Sequence, residues 1–155
     1  MSRRLERIFA FKVLYGLCFS PAESEEEVLR SYLLAPERPE GLGTGPEETF
    51  AWRLIHGVWK HQAALDERIG DLSRNWRPDR MGRVELTLLR LALFELLFHR
   101  DTPPKVVINE AVEISKQFGD ELSRGFVNGI MDSAAKTLEK SDPERPEHEI
   151  STRDY

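Results

Sequence analysis

Hydrophobic residues recur every three or four positions along most of the chain, which is the spacing that places them on one face of an α-helix. In the opening segment, Leu5, Phe9, Val13 and Leu17 fall on one side at about 100° per residue. The same periodicity predicts helices over 24–34, 47–76 with a break near His61, 81–98, 104–118 and 122–140. The chain is therefore predicted to be all-α, a compact domain of about seven helices.

The segment 81–98 is apolar on nearly every side, and a helix that is apolar all round is buried. We expect it to be the central helix of the fold. Glu85, Arg90 and Glu95 interrupt it, and each must reach the rim or find a partner, because an unpaired buried charge is costly. Glu95 is accordingly interpreted as a structural residue and not as a catalytic acid.

Residues between the periodic segments predict where helices begin and end. Ser24 precedes three glutamates, which favours a capped helix start with acids at the positive end of the dipole. Thr102 before Pro103 and Pro104 predicts another capped start, and Gly119 suits the stop of that helix.

Two helix faces are predicted in the C-terminal half. The inner face of the 104–118 helix is expected to comprise Val106, Ile108, Ala111, Val112 and Ser115. In the last helix Gly125 and Gly129 lie four residues apart, a spacing that lets another backbone approach closely.

Composition supports the helical prediction and narrows the class of protein. The 155 residues include 19 Leu and 19 Glu against 15 Val plus Ile, which favours helix formers, and the length suits one domain. No apolar run approaches the roughly 20 residues that a membrane span needs.

Cys18 is the single cysteine, which excludes an internal disulfide and favours a reducing compartment. Lys12 interrupts the apolar stretch that a secretory signal would need, so the expected location is the cytoplasm.

Charge is distributed unevenly along the chain. The net charge is −5, but residues 1–12 carry a local charge of +3, while residues 23–48 carry −6. A basic N-terminal turn can offer phosphates a local binding site even in an acidic protein.

One stripe of the first helix combines cations with aromatic rings. Arg4, Arg7, Phe11 and Tyr15 fall together there with Cys18, away from the stripe that contains Leu5. Guanidinium groups for phosphates and rings for bases are what single-stranded RNA binding requires. The alternative is that Phe11 and Tyr15 pack beneath a neighbouring helix, which is the commoner fate of aromatic residues.

The sequence predicts no catalytic centre. Cys18 has no histidine near it in sequence. Glu110 and Glu113 are three residues apart on one helix with Lys116 beyond them, which favours a solvated, ion-paired face. We therefore expect a protein that is not an enzyme.

Metal and cofactor sites are not indicated either. His56 and His61 are five residues apart, about 140° round a helix, so they cannot share a metal. The glycine-rich stretch 41–45 is followed by Pro46 and two glutamates, which would repel a phosphate. It is interpreted as a linker loop, and no cofactor is expected.

The last fifteen residues have a different composition. Residues 141–155 hold five acids, two prolines and one aliphatic residue, Ile150, which is too little apolar surface to order a segment. The sequence therefore predicts a folded domain over 1–140 and a disordered acidic tail over 141–155.

Four stretches carry a resemblance to a known family. They are 104–119 (PKVVINEAVEISKQFG), 126–132 (FVNGIMD), the start of the first helix with Leu14-Tyr15, and 84–95 in the central helix. Taken in chain order they resemble the NusB family, and the match runs from residue 3 to about 138. The resemblance implies two helical sub-bundles and a role in transcription antitermination, in which the protein binds the boxA element of nascent RNA together with ribosomal protein NusE and other Nus factors.

The resemblance also implies site residues. By matching position, RNA would be contacted by Arg3, Arg4, Arg7, Tyr15, Lys116, Phe126 and Asn128. Glu85 would contact NusE, as a carboxylate meeting a basic residue. Leu5 and Glu6 interrupt a run that is often more continuously basic in relatives, which predicts weaker RNA binding by this protein alone.

Two alternatives stay open at this stage. NusB-like domains also precede RNA cytosine methyltransferase domains, and this chain ends before any such domain, so that interpretation requires the chain to be a fragment. A protein-only helical adaptor is the other. The sequence does not decide whether the protein forms a homodimer.

Overall fold

The structure, a computed structural model, describes residues 2–42, 49–73 and 81–141. All regular structure in these ranges is helical, which confirms the predicted all-α class. The α-helices of these ranges are α1 (Arg3–Phe19), α2 (Glu25–Leu34), α3 (Phe50–Leu72), α4 (Arg83–Phe98), α5 (Pro104–Phe118) and α6 (Glu121–Ser141), with a short 3-10 helix at Glu40–Leu42.

The described residues therefore contain six α-helices, and the predicted number of about seven is wrong. The difference lies in α3. The predicted break near His61 is present as a kink, since His61 has the non-helical angles φ −106° and ψ 16°, but the two predicted helices continue across it as one element. Partial burial, with Lys60 and His56 as neighbouring positive groups, lowers the pKa of His61 from its ordinary value.

The chain divides into two compact units, residues 1–61 and 62–155, in agreement with the predicted pair of sub-bundles. The first unit is built around Tyr32, which is completely buried. Its ring meets Phe9 and Trp52 edge-to-face, at centroid distances of 5.7 and 5.5 Å. Its hydroxyl shares a hydrogen bond of 2.9 Å with Thr49 Oγ1. One side chain of α2 thus contacts α1 and the beginning of α3.

The start of α2 has the predicted cap. Ser24 Oγ accepts a hydrogen bond from the backbone N–H of Glu27 at 3.2 Å. Glu25 in the same first turn pairs with His56 Nε2 of α3 at 2.6 Å. The capped start is confirmed, and one of the acids that stabilise it, Glu25, also joins α2 to α3.

The second unit is built around α4, which packs with α5 and α6. Every residue of α4 from Leu86 to Leu96 is buried except Arg90, so the prediction of a buried central helix is confirmed. Arg90 finds a partner, because its Nε and Nη2 donate to the two carboxylate oxygens of Asp66 at 2.6 and 2.8 Å. Glu95 is 2% exposed.

Helix α5 differs from its prediction in two details. Its N-cap is Pro103, with no side-chain hydrogen bond, so the predicted capping by Thr102 is wrong. Because Pro104 fixes the first helical position, the helix begins after the residue that could have capped it. Its buried face is Val107, Ala111, Ile114 and Ser115, whereas Val106, predicted inside, is 41% exposed.

The predicted close approach at Gly125 and Gly129 is absent from the described part of the chain. Both glycines are exposed, and a Cβ at either position would meet nothing within 4 Å. The buried residues of α6 lie at Val127, Ile130 and Met131 and beyond. The two glycines consequently lie outside the packed face of the helix.

Two predicted features lie outside the described residues. They are the predicted acidic tail, beyond Ser141, and most of the glycine-rich stretch at 41–45. Within the described ranges no helix combines the length and the apolar character that crossing a membrane requires.

Candidate nucleic-acid interface

The arginines of α1 do not share one environment. Ser2 caps the helix by accepting a hydrogen bond from the backbone N–H of Leu5 at 3.2 Å, and the exposed Arg3 and Arg4 follow it. Arg7 is only 5% exposed. The prediction that Arg7 lies on an exposed stripe is therefore wrong, because a helix wheel gives its angle but not which neighbours cover that angle.

The buried arginine belongs to a cluster at the beginning of α3. The guanidinium carbons of Arg3 and Arg7 lie 4.1 and 5.1 Å from the ring centroid of Phe50, within cation–π range. Glu6, itself buried, accepts a hydrogen bond from the backbone N–H of Ala51 at 3.2 Å. Thr49 Oγ1 accepts another from Trp52 N at 3.1 Å. Residues of α1 thus cap and cover the first turn of α3.

This cluster explains why Glu6 interrupts the basic run, whereas the exposed Leu5 is not part of it. A carboxylate at the positive end of a helix is stabilising, and it also satisfies a backbone donor that would otherwise lack a partner within its helix. Glu6 and Phe50 were not identified from sequence, because the hydrogen bond from Ala51 to Glu6 spans 45 positions and no local pattern reports the packing of α1 on α3.

Replacing Glu6 by alanine should lower the free energy of unfolding by about 1–2 kcal/mol, because a buried backbone donor loses its acceptor. Glu6→Gln should recover most of this loss, since its amide oxygen can accept the same hydrogen bond. Urea denaturation followed by circular dichroism measures both. Glu67→Ala, at an exposed position inside α3, is the control. Equal stability of Glu6→Ala and the original protein would contradict this role.

A row of aromatic rings occupies the second half of α1. Phe11 and Tyr15 are stacked at 5.7 Å, and Tyr15 meets Phe19 edge-to-face at 5.2 Å. Phe11 is 2% exposed, Tyr15 is half-buried and Phe19 is 57% exposed. The alternative interpretation, packing beneath neighbours, is thus correct for Phe11.

Lys12 lies between the arginines and the exposed aromatic end of α1. Its ammonium pairs with Glu37, which follows α2. The cationic character of α1 is therefore concentrated at Arg3 and Arg4, near its beginning.

The remaining predicted RNA contacts lie in the second unit. Lys116 is exposed and its Nζ donates to Glu113 Oε1 at 2.8 Å, which confirms the predicted ion-paired face. Phe126 is half-buried and Asn128 is exposed on α6. Their part in RNA binding stays a prediction.

Glu85, predicted to contact a protein partner, is half-buried and hydrogen-bonded within the chain. Its Oε1 accepts from Ser123 Oγ, which connects α4 to α6. Asp120 caps α6 by accepting from the backbone N–H of Ser123 at 2.8 Å, and its Oδ1 lies 3.0 Å from the same hydroxyl. A Cβ at Gly82 would displace the Glu85 carboxylate, and a Cβ at Gly119 would lie 2.8 Å from Ser123 Cβ. This junction was not visible in the sequence, because it joins three helix ends.

The hydrogen bonds from Ser123 lower the pKa of Asp120, first through the backbone N–H and then through the hydroxyl. Ser123→Ala should raise this pKa part of the way to its usual value, because the backbone donor remains. A carboxyl whose pKa is depressed in the fold adds stability above its unfolded pKa and loses it as the pH falls through the folded value. The variant should consequently lose less stability on acidification.

At neutral pH the same variant should be less stable by about 1–2 kcal/mol, since a buried hydroxyl that bonds Glu85 is removed. Carboxyl NMR titration and urea denaturation measure the two effects. Ser133→Ala, at an exposed position of α6, should change neither. An unchanged titration of Asp120 in Ser123→Ala would exclude the proposed cause of the shift.

The described residues contain no candidate metal site. Across 2–42, 49–73 and 81–141, no three His, Cys, Asp or Glu side chains group in a way that could hold a metal ion.

Comparison with known proteins places this geometry in context. The model of the NusB family matches residues 4–136. A transcription antitermination protein NusB from Nitratidesulfovibrio vulgaris (strain DP4) is 56% identical over 138 residues, covering 89% of this chain and 90% of the relative. The solved structure of T. maritima NusB is 35% identical with a TM-score of 0.74, covering 88% and 92% of the two chains.

A second solved structure is that of antitermination factors NusB and NusE in complex with dsRNA. One of its chains is 26% identical, with a TM-score of 0.70, and 88% of this chain and 99% of that chain are covered. The family model alone spans most of the chain, and the helical architecture agrees with it. The chain belongs to the NusB family.

Proposed function

We propose that the protein is a transcription antitermination factor that binds boxA RNA of nascent transcripts, notably of ribosomal RNA operons, together with ribosomal protein NusE. The names of its relatives and the NusB–NusE–dsRNA complex among its structural neighbours support this. The observation that carries it in this chain is the first helix, where the exposed Arg3 and Arg4 precede the ring of Tyr15.

Phosphate contacts are assigned to Arg3 and Arg4. Stacking of Arg3 on Phe50 holds its guanidinium at the surface, which reduces the entropy lost when a phosphate binds. For Arg7 we propose a role other than the predicted RNA contact. Because it is buried against Phe50, we assign it to positioning α1 on α3, and not to contacting RNA.

Partner binding is assigned to the second unit. Glu85 would meet a basic residue of NusE, with the hydrogen bond from Ser123 fixing its carboxylate. Lys116, Phe126 and Asn128 would add RNA contacts.

The proposal also covers the other Nus factors of an elongation complex, and it places the protein in the cytoplasm, where nascent RNA is made. Residues 1–140 would form the RNA-binding domain and 141–155 its acidic tail.

The test is a binding titration of purified protein, alone and with NusE, against boxA RNA and a scrambled RNA of equal length. Each RNA is used single-stranded and as a duplex, because the structural neighbour holds dsRNA whereas stacking on rings requires unpaired bases. We expect preference for boxA, and a larger preference with NusE. Equal binding of boxA and scrambled RNA in both cases would remove the proposal.

Arg4→Ala should weaken RNA binding roughly fivefold near 0.1 M salt and flatten the salt dependence by about 0.7, the amount expected for one single-strand phosphate contact. Arg30→Ala removes the same charge from an exposed position of α2 and is the matched control. If both variants lose the same affinity, the effect is one of net charge and no contact exists at Arg4. Undiminished RNA binding would favour the protein-only adaptor.

A further inference from the structure

Arg3 holds its charge at the surface of α1 without a polar partner. Its side chain is exposed and its guanidinium contacts the ring of Phe50, but among the described residues it forms no hydrogen bond and no ion pair. Glu6, the nearest acid in sequence, is buried, and its carboxylate accepts from the backbone N–H of Ala51. An incoming ligand of Arg3 therefore displaces no internal partner in the described part of the chain.

The distance between Arg3 and Phe50 indicates how the guanidinium is oriented. Its central carbon lies 4.1 Å from the ring centroid. This is close to the roughly 3.5–4.0 Å at which two carbon atoms touch. An approach by an N–H edge would hold that carbon farther out, because the nitrogen and its hydrogen would stand between it and the ring. The guanidinium therefore lies flat on the ring, with one face on Phe50 and the other directed away from it.

The edge and the face of a guanidinium recognise different chemical groups. Its N–H donors all lie in the plane, so they reach a phosphate that lies beside the plane. The face has no donor, and the group that suits it is another flat π system, which in RNA is a base. Residues 1–12 carry a local charge of +3, which favours a polyanion at this end of α1. A single nucleotide of RNA supplies both groups.

We propose that Arg3 binds one nucleotide of the RNA in two ways, its outer face stacking on an unpaired base while its N–H edge binds the adjoining phosphate. Phe50 is the positioning residue of this subsite, since it lies beneath the guanidinium and does not touch the RNA. The inference rests on the proposed function, which assigns only a phosphate contact to Arg3, and adds a base contact to it.

The test uses full-length protein with NusE and a series of boxA RNAs in which one nucleotide at a time lacks its base but keeps its phosphate. At one position, loss of the base should weaken binding by the original protein roughly five- to hundredfold, the effect of one stacked base. Arg3→Lys keeps the charge but has no flat face. It should bind intact boxA RNA more weakly by a similar factor and lose nothing further at that position. Its salt dependence should not change, because the charge that meets the phosphate remains.

A double-mutant cycle tests the part of Phe50. Phe50→Leu keeps an apolar side chain but removes the flat ring, so it should weaken RNA binding by the original protein and add little to Arg3→Lys. Phe50→Tyr keeps the ring and should bind normally. Arg30→Lys makes the same exchange as Arg3→Lys at an exposed position of α2 and should bind every RNA normally. Circular dichroism of each variant verifies the fold.

Each outcome of this set decides the inference. Full affinity of Arg3→Lys for boxA RNA, or an unchanged loss at every abasic position, would overturn it, while preference of the original protein for boxA RNA over scrambled RNA would still uphold the proposed function. An equal loss from Phe50→Leu with and without Arg3→Lys would show that Phe50 only stabilises the fold, and would overturn its positioning role. If Phe50→Leu does not fold, Arg3→Lys and the abasic series still decide the base contact, and Phe50→Tyr must then bind normally. Absence of boxA preference in the original protein would remove both proposals together.

Discussion

Replacing Tyr32 by alanine is expected to lower the free energy of unfolding by about 3–5 kcal/mol, the range for deleting a large buried aromatic side chain. The residue is completely buried, and its ring contacts Phe9 of α1 and Trp52 of α3. Its loss removes those contacts and leaves a cavity in the centre of the first unit. Urea denaturation measures the change, and hydrogen exchange should show the protection lost first in residues 1–61.

Tyr32→Phe separates the hydroxyl from the ring. It should cost only about 1 kcal/mol, the net value of one hydrogen bond, here the one shared with Thr49. Leu33→Ala, at a neighbouring side chain that is 41% exposed, is the control and should have little effect. If Tyr32→Ala were no more damaging than Leu33→Ala, the first unit would not depend on this ring.

The second large effect is expected at the ion pair between Arg90 and Asp66. Their side chains are only 12% and 27% exposed, and the pair is bidentate. Asp66→Ala should therefore cost about 2–4 kcal/mol, mainly because it leaves the charge of Arg90 poorly solvated and unpaired. Thermal and urea denaturation provide the measurement.

Two further variants identify the cause. Removing both charges, as in Asp66→Leu with Arg90→Met, should restore much of the stability, since an apolar pair of similar size needs no compensation. Glu113→Ala breaks the pair with Lys116, whose side chains are 36% and 47% exposed, and should cost less than about 1 kcal/mol. Equal losses in Asp66→Ala and Glu113→Ala would show that burial does not matter here.

The sequence predicted the helices well because their causes are local. The apolar periodicity placed α1, α2 and α6 closely, and Ser24 caps α2 as expected. The apolar composition of 81–98 was enough to predict a buried helix, and burial in turn required a partner for Arg90. The kink at His61 was detected as a break, but whether a helix bends or ends depends on its surroundings.

The binding residues were predicted less well, for a physical reason. A helix wheel places Arg7 and Phe11 on one stripe of α1. In the folded chain this stripe is covered, as is the side of Phe9, so Arg7 and Phe11 are both buried. The contact of Glu6 with Ala51 and that of Glu85 with Ser123 link distant segments, and neither has a local pattern. Exposure, which separates Phe19 from Phe11, is likewise a property of the folded chain.

The hydrogen bond between Glu6 and Ala51 has a consequence for biosynthesis. During translation the N-terminus leaves the ribosome first. Glu6 therefore emerges 45 residues before Ala51, whose backbone N–H donates to the Glu6 carboxylate. Until residue 51 has left the exit tunnel, Arg3 and Arg7 also lack the ring of Phe50 against which they rest. An N-terminal fragment that stops before α3 should therefore present its arginines on an unanchored helix, and the mature arrangement is acquired only when that loop closes, at an entropic cost.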